Sequence, residues 1–370
     1  EIPLRLVGSE MCIRDRVNGT EEVIFHHPKY DPSPVILDDE MIGAVVSSGY
    51  YQMYWFENES DISKIVQQVV SYFNDGNLEK LTKANISVSS ISKDRNKAII
   101  QVSDDISSPK YYLYDLNKGS IAFLFAMWPE IDEPGLESTK PFKFKNSDGI
   151  EIHGYFTNAR NQDQNSLPPL VVLPHGGPIG PSDDWSFDPD VHMLSNAGYA
   201  VMKVNYRGSG GYGRDFLRAG LGQAGGDIQD DIIEATEWVI DKGWVDKQRV
   251  GIYGGSFGGY SAAMAPMLRP DLFKAGVAYV GVFDLNLNQE VGDVRRMYFG
   301  KAQLAQIYGP DEETRAQMSP VNNVSKLEAP LLIVSGEEDQ RCPPEQAYAL
   351  SLIHISEPTR RRGISYAVFC

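Results

Sequence analysis

The spacing of apolar positions changes part-way along the chain. Up to about residue 126 they fall mostly in short alternating runs, the two-residue period of half-buried strands. KAIIQVSDD (97–105) and KYYLYDLNKGSIAFLF (110–125) are such runs, and the Asn-Lys-Gly inside the second predicts a hairpin turn. One segment departs from this pattern. DISKIVQQVVSYF places Ile62, Ile65, Val66, Val69, Val70 and Phe73 at helical spacing, which predicts an amphipathic helix packed on a sheet. Hairpins at this spacing suit the blades of a β-propeller, although no clean internal repeat is present. The Pro- and acid-rich MWPEIDEPGLES (127–138) reads as a linker between domains.

From about residue 140 strands and helices alternate. PLVVLPHGG, YAVMKVNYRGSG, RVGIYGGS, KAGVAYVGVFD and APLLIVSGEED each read as a strand running into a turn. GGDIQDDIIEATEWVI sets Ile228, Ile232, Ala235 and Val239 on one face behind an Asp-rich start, so it reads as a helix. The alternation predicts an α/β fold, a mostly parallel sheet with helices on both faces, and places any chemistry at the carboxyl ends of the strands.

Composition narrows the functional classes. The net charge of −16 argues against nucleic acids and anionic membrane surfaces as partners. No apolar run has the length of a membrane span and residue 1 is not followed by a signal-peptide layout; a soluble protein is expected, with cytoplasm or periplasm left open because the true N-terminus is expected to be absent. Cys12, Cys342 and Cys370 have no metal or redox spacing, and neither a cofactor nor a disulfide framework is expected.

The strongest chemical signal is Gly254-Gly255-Ser256-Phe257-Gly258, a G-x-S-x-G between a strand and an alanine-rich helix. A serine on so tight a turn sits in a strained conformation, and Gly254 and Gly258 lack side chains so that strand and helix can approach. PHGGP (174–178) follows an earlier strand, and paired glycines allow backbone N–H groups to converge on one point. Gly177 and Phe257 are the expected oxyanion donors, with Gly176 completing the loop. His175 reads as an anchor of that loop rather than as the base for Ser256. The triad acid is expected after a later strand: Asp339 is the first choice and Asp284 the alternative, while Glu337 and Glu338 read as a solvated turn. GSGGYG (208–213) satisfies a dinucleotide-binding pattern. However, Asn205, Tyr206 and Arg207 separate it from its strand, and Gly220 and Gly222 break the segment after Gly213, so it reads as a loop shaping the site.

LPHGGP, DWSFDPDVHMLSNAGYAVMKVNYRGSGGYG, IYGGSFGGYSAAMAPMLRPDLFKAGVAYVGV and APLLIVSGEEDQRCPPEQA, in this order, resemble the catalytic domain of the prolyl oligopeptidase family of serine peptidases, nearest to its acylaminoacyl-peptidase and dipeptidyl-aminopeptidase types. The resemblance covers about residues 140–350 and extends more weakly through YYLYDLNKGS, similar to the last part of the family's N-terminal propeller. It implies an α/β-hydrolase domain acting on short peptides, with Ser256 as nucleophile, Asp339 as triad acid and the amides of Gly177 and Phe257 as oxyanion donors. It also makes the NYRGSGGYG loop, with Tyr206 and Arg207, a family feature. His192 stands where relatives usually carry glutamine and is read as structural.

The family's catalytic histidine follows the acid in a Gly-His turn, and the residues after Asp339 contain no such turn. His354 is the late histidine, in SLIHISEPTRRRGISYAVFC (351–370), a stretch that predicts neither a strand end nor a turn to present it. Both this tail and EIPLRLVGSEMCIRDR (1–16) resemble peptides translated from sequencing-adapter DNA. The expected organisation is therefore foreign ends at 1–16 and 351–370, a partial propeller at 17–126, a linker at 127–139 and an incomplete hydrolase domain at 140–350. The base is expected from beyond these residues, which leaves the chain itself without peptidase activity. A carboxylesterase on the same fold, a dinucleotide-dependent oxidoreductase and a binding protein without catalysis are the rival readings.

Overall fold

The computed structural model describes residues 4–7, 10–14, 21–37, 40–56, 61–73, 80–81, 85–131, 135–160, 166–355 and 364–369. They divide into two compact units. One is built from 1–141, 184–193 and 211–214, the other from 142–183, 194–210 and 215–370.

The first unit is antiparallel. Ser33–Leu37, Glu40–Ser47, Tyr51–Trp55 and Lys80–Leu81 form one four-stranded meander, and Asn85–Ile91, Lys97–Ser103, Lys110–Asp115 and Ser120–Ala126 form another. Successive four-stranded meanders are the blade architecture of a β-propeller. In the second, Asp115 pairs with Ser120 across the Asn-Lys-Gly turn, with a register shift between Tyr111 and Tyr112. The helix Asp61–Phe73 buries Ile62, Val66, Val69 and Val70 together with Ile42, Met53, Ile86 and Ile100. Its helical period thus serves core packing. Leu4–Val7, Glu10–Arg14 and Glu21–His26 make a separate three-stranded meander.

The second unit contains the larger core and an eight-stranded sheet. Its strands are β1 (Thr139–Lys145), β2 (Glu151–Thr157), β3 (Leu170–Val172), β4 (Ala200–Asn205), β5 (Val250–Gly255), β6 (Ala275–Tyr279), β7 (Leu331–Gly336) and β8 (Ile364–Phe369). The spatial order is β1-β2-β4-β3-β5-β6-β7-β8. β2 runs antiparallel to β4, and every pair from β4 through β8 is parallel. Three helices matter for the site: α1 (Asp227–Asp241), α2 (Phe257–Leu268) and α3 (Pro344–Ile355). α2 is apolar all round, with Phe257 to Met267 buried, because it packs on β5 and β6 and also beneath α1.

Two elements differ from the sequence reading. KAGVAYVGVFD predicts a strand reaching Asp284, but β6 stops at Tyr279 because Val280 takes a φ of +43° and turns the chain out of the sheet. The tail predicts no strand, yet Ile364–Phe369 lies parallel to β7 as β8. Its β-branched and aromatic hexapeptide meets the otherwise open edge of β7 and pairs with it.

Candidate active site

Parallel strands deliver their loops to one edge of the sheet, and three of those loops carry the expected chemistry. β5 ends at Gly255 and α2 begins at Phe257, so Ser256 alone makes the turn, with φ 57° and ψ −117°. A non-glycine residue at positive φ is strained and has to be held there by its neighbours. Two hydrogen bonds do so: Ser256 N–H donates to the Tyr279 carbonyl at 3.0 Å, and the Ser256 carbonyl accepts from Tyr260 N–H at 3.0 Å. The flanking glycines show why side chains are excluded. A Cβ on Gly254 would lie 2.6 Å from the Gly258 backbone, and one on Gly258 would lie 2.1 Å from the Pro174 carbonyl oxygen.

The Pro174 contact joins the elbow to the loop after β3. A Cβ on Gly176 would fall 3.4 Å from Ser256 Cβ and 3.8 Å from its Oγ, so this loop runs directly beside the Ser256 side chain. Gly177 takes a φ of +139°, a conformation suited to glycine. Phe257, as the first residue of α2, has an N–H with no intrahelical acceptor. The structure therefore brings Ser256, Gly176, Gly177 and Phe257 together.

His175 is engaged elsewhere. Its Nε2 lies 2.9 Å from Ser209 Oγ, and its Nδ1 lies 2.7 Å from the Gly176 carbonyl oxygen and 3.1 Å from the Tyr206 hydroxyl. The Tyr206 ring stacks on it with centroids 4.3 Å apart. Burial pushes the His175 pKa down, opposed by the nearby Asp183 and by its bond to Gly176. Of the described residues, the one within hydrogen-bonding range of Ser256 Oγ is Cys342, whose Sγ is 4.0 Å away. Burial and the neighbouring Asp339 push the Cys342 thiol up to about 11, so at neutral pH it is a protonated, weakly polar neighbour rather than a base.

Asp339 lies in the turn after β7. Its Oδ1 accepts the backbone N–H groups of Arg341 at 2.8 Å and Cys342 at 2.9 Å, while its Oδ2 accepts none from the described residues. Asp284 is used differently. Its Oδ1 accepts the N–H groups of Asn286 and Leu287, which caps the short turn after β6. His192 sets its Nε2 2.6 Å from the Asp105 carbonyl oxygen within the first unit. His354 falls in the last turn of α3, and its side chain lies outside the described residues.

The loop after β4 is held by charge. Arg207 is buried, and its N–H, Nε and Nη2 reach Asp231 at 2.8–2.9 Å, with Nη1 on Asp227 at 2.7 Å and Nη2 on Asp148 at 2.8 Å. Asp231 is fully buried in α1 and also accepts from Asn146 Nδ2 at 2.7 Å. These acids hold the guanidinium well above its ordinary pKa. Removing the buried Asp231 from beneath Arg207 should cost about 3–5 kcal/mol. GSGGYG thus follows an ion-paired arginine, and a glycine turn after β4 does not lead straight into a long helix as a dinucleotide site requires. Asp231 and Cys342 escaped the sequence reading. Asp231 was findable, because it sits between Ile228 and Ile232 on the apolar stripe of α1, where an acid needs a buried cation.

Residues 185–352 match the model of the prolyl oligopeptidase family. Dipeptidyl aminopeptidase BIII of Pseudoxanthomonas mexicana is 34% identical over 277 residues, covering 71% of this chain and 40% of that protein. The acylamino-acid-releasing enzyme of Arabidopsis thaliana is 31% identical over 195 residues, covering 51% of this chain and 25% of that one. A puromycin-hydrolyzing peptidase from Mycobacterium tuberculosis has the same fold, with a TM-score of 0.77 at 20% identity over 97% of this chain and 54% of its own. The chain spans about two fifths of the length of three of the curated relatives it matches. The matched segment, which contains Ser256, α2, β6, β7 and Asp339, belongs to the prolyl oligopeptidase family.

Proposed function

We propose that the protein to which this chain belongs is a serine peptidase that hydrolyses short peptides through an acyl-enzyme. The observation that carries this reading is Ser256 held at positive φ at the carboxyl end of β5, with the Gly176-Gly177 loop against its side chain. Ser256 Oγ attacks the scissile carbonyl, and the developing oxyanion is met by the N–H groups of Gly177 and Phe257. A histidine from outside the described residues takes the Oγ proton and passes it to the leaving amine. Asp339 Oδ2, open to such a partner, holds that imidazole in the tautomer that makes it a base, and water then releases the acyl group. The net charge of −16 supports a small peptide rather than a nucleic acid as substrate.

Ester hydrolysis would use the same groups, so substrate assays decide. The names of the relatives make dipeptidyl and N-acylaminoacyl anilides the first substrates to try on the full-length protein, beside a short-chain nitrophenyl ester. Anilide turnover is expected, with kcat falling by about 10⁶-fold in Ser256→Ala and about 10⁴-fold in Asp339→Asn. Ester turnover without anilide cleavage would identify a carboxylesterase, and no Ser256-dependent turnover of either would indicate a binding protein.

A further inference from the structure

The oxyanion loop has no secondary structure of its own, and its position is set by the loop after β4. The two run together backbone to backbone: Gly180 N–H donates to the Gly208 carbonyl at 2.9 Å, and Gly210 N–H donates to the Gly180 carbonyl at 3.0 Å. A Cβ on Gly210 would lie 2.3 Å from the Gly180 carbonyl oxygen, so there is no room for this pairing to slide. At the end nearest Ser256 the link passes through side chains. Tyr206 donates its hydroxyl to the His175 carbonyl at 2.9 Å, and Ser209 Oγ sits 2.9 Å from His175 Nε2. Ser209 also donates to the Tyr206 carbonyl at 2.7 Å and is fully buried. One hydroxyl therefore locks both the support loop and the residue that precedes Gly176 and Gly177. Arg207, bound to the buried Asp231, fixes the support loop from below.

We infer that Ser209 is a positioning residue for the oxyanion donor, acting through His175 to keep the Gly177 N–H where charge develops. The inference rests on the peptidase reading. Deleting one oxyanion donor costs about 10²–10³-fold in kcat, and allowing a donor to drift should cost less, about 10–100-fold. Because the bound ground state makes little use of that donor, KM should stay nearly constant.

The test is a double-mutant cycle in the full-length protein, with steady-state kinetics and thermal melting on Ser209→Ala, His175→Ala and the pair. Ser209→Ala should lower kcat about 10–100-fold at constant KM, with the melting temperature lowered by only a few degrees. The double variant should be no slower than the slower single, because the two residues act in series. Ser209→Cys, which keeps a weak hydrogen-bonding group at nearly the same size, should recover part of the rate. An active wild-type protein whose Ser209→Ala variant keeps its kcat would overturn the inference alone, as would rate losses that multiply in the double variant. A wild-type protein with no Ser256-dependent turnover would remove the peptidase reading and the inference with it.

Discussion

Ser256 is strained, and so is the residue that secures it. Val280 has a φ of +43°, which a β-branched side chain rarely adopts, and its N–H donates to the Val334 carbonyl at 2.7 Å. The turn at Val280 leaves the Tyr279 carbonyl free to accept Ser256 N–H, so strain on one strand steadies strain on the next. Left-handed backbone costs a residue with a Cβ about 1–2 kcal/mol, a penalty glycine escapes. Glycine is ordinarily the less stable of the pair Gly and Ala by about 0.5–1 kcal/mol in regular structure. At position 280 the order should invert, with Val280→Gly more stable than Val280→Ala by about 1 kcal/mol in urea titration. An Ala variant as stable as the Gly variant would mean that Val280 is not strained. At this scale the Ser256 turn and the glycines around it are legible in the sequence, because each is demanded by neighbours a few residues away. Cys342 beside Ser256, Ser209 beside His175 and the Val280 turn are contacts between distant segments, and no local pattern announces them.

The β5–Ser256–α2 unit is built around absences of side chain. Gly258 meets the Pro174 carbonyl and Gly259 the Tyr279 carbonyl, so the helix start is pressed against both segments that flank Ser256. Gly258→Ala would place a methyl group 2.1 Å from the Pro174 carbonyl oxygen and force the loop after β3 away. The expected result is a stability loss of about 1–3 kcal/mol together with loss of turnover. Gly251, in the same strand, has nothing nearer than 3.5 Å, so Gly251→Ala should fold with no loss and serves as the control in the same denaturation series. Equal effects of the two would refute the packing explanation. Most elements could be read from hydrophobic period, including the hairpin at 110–126 and the helix Asp61–Phe73. The end of β6 could not, since its apolar run continues through Val282 and Phe283, which are buried but no longer in the sheet. The pairing of β8 also depends on an edge offered by β7 rather than on any signal inside the tail.

For the whole molecule, alternation of strand and helix announces a mostly parallel sheet, and parallel strands put Ser256, the Gly176-Gly177 loop and Asp339 at one edge. The strand order, with β4 between β2 and β3, is set by long-range crossovers and leaves no trace in a local pattern. Among the described residues no helix is long and apolar enough to cross a membrane. The blades of the first unit and the sheet of the second both have counterparts in solved structures of similar fold. The claim on which the rest depends is that Ser256 is an activated nucleophile, and covalent labelling addresses it most directly. Full-length protein treated with a fluorophosphonate should lose activity as one adduct forms, and peptide mass spectrometry should place that adduct on Ser256, with no labelling of Ser256→Ala. An adduct on another residue, or peptide hydrolysis that persists in Ser256→Ala, would contradict it.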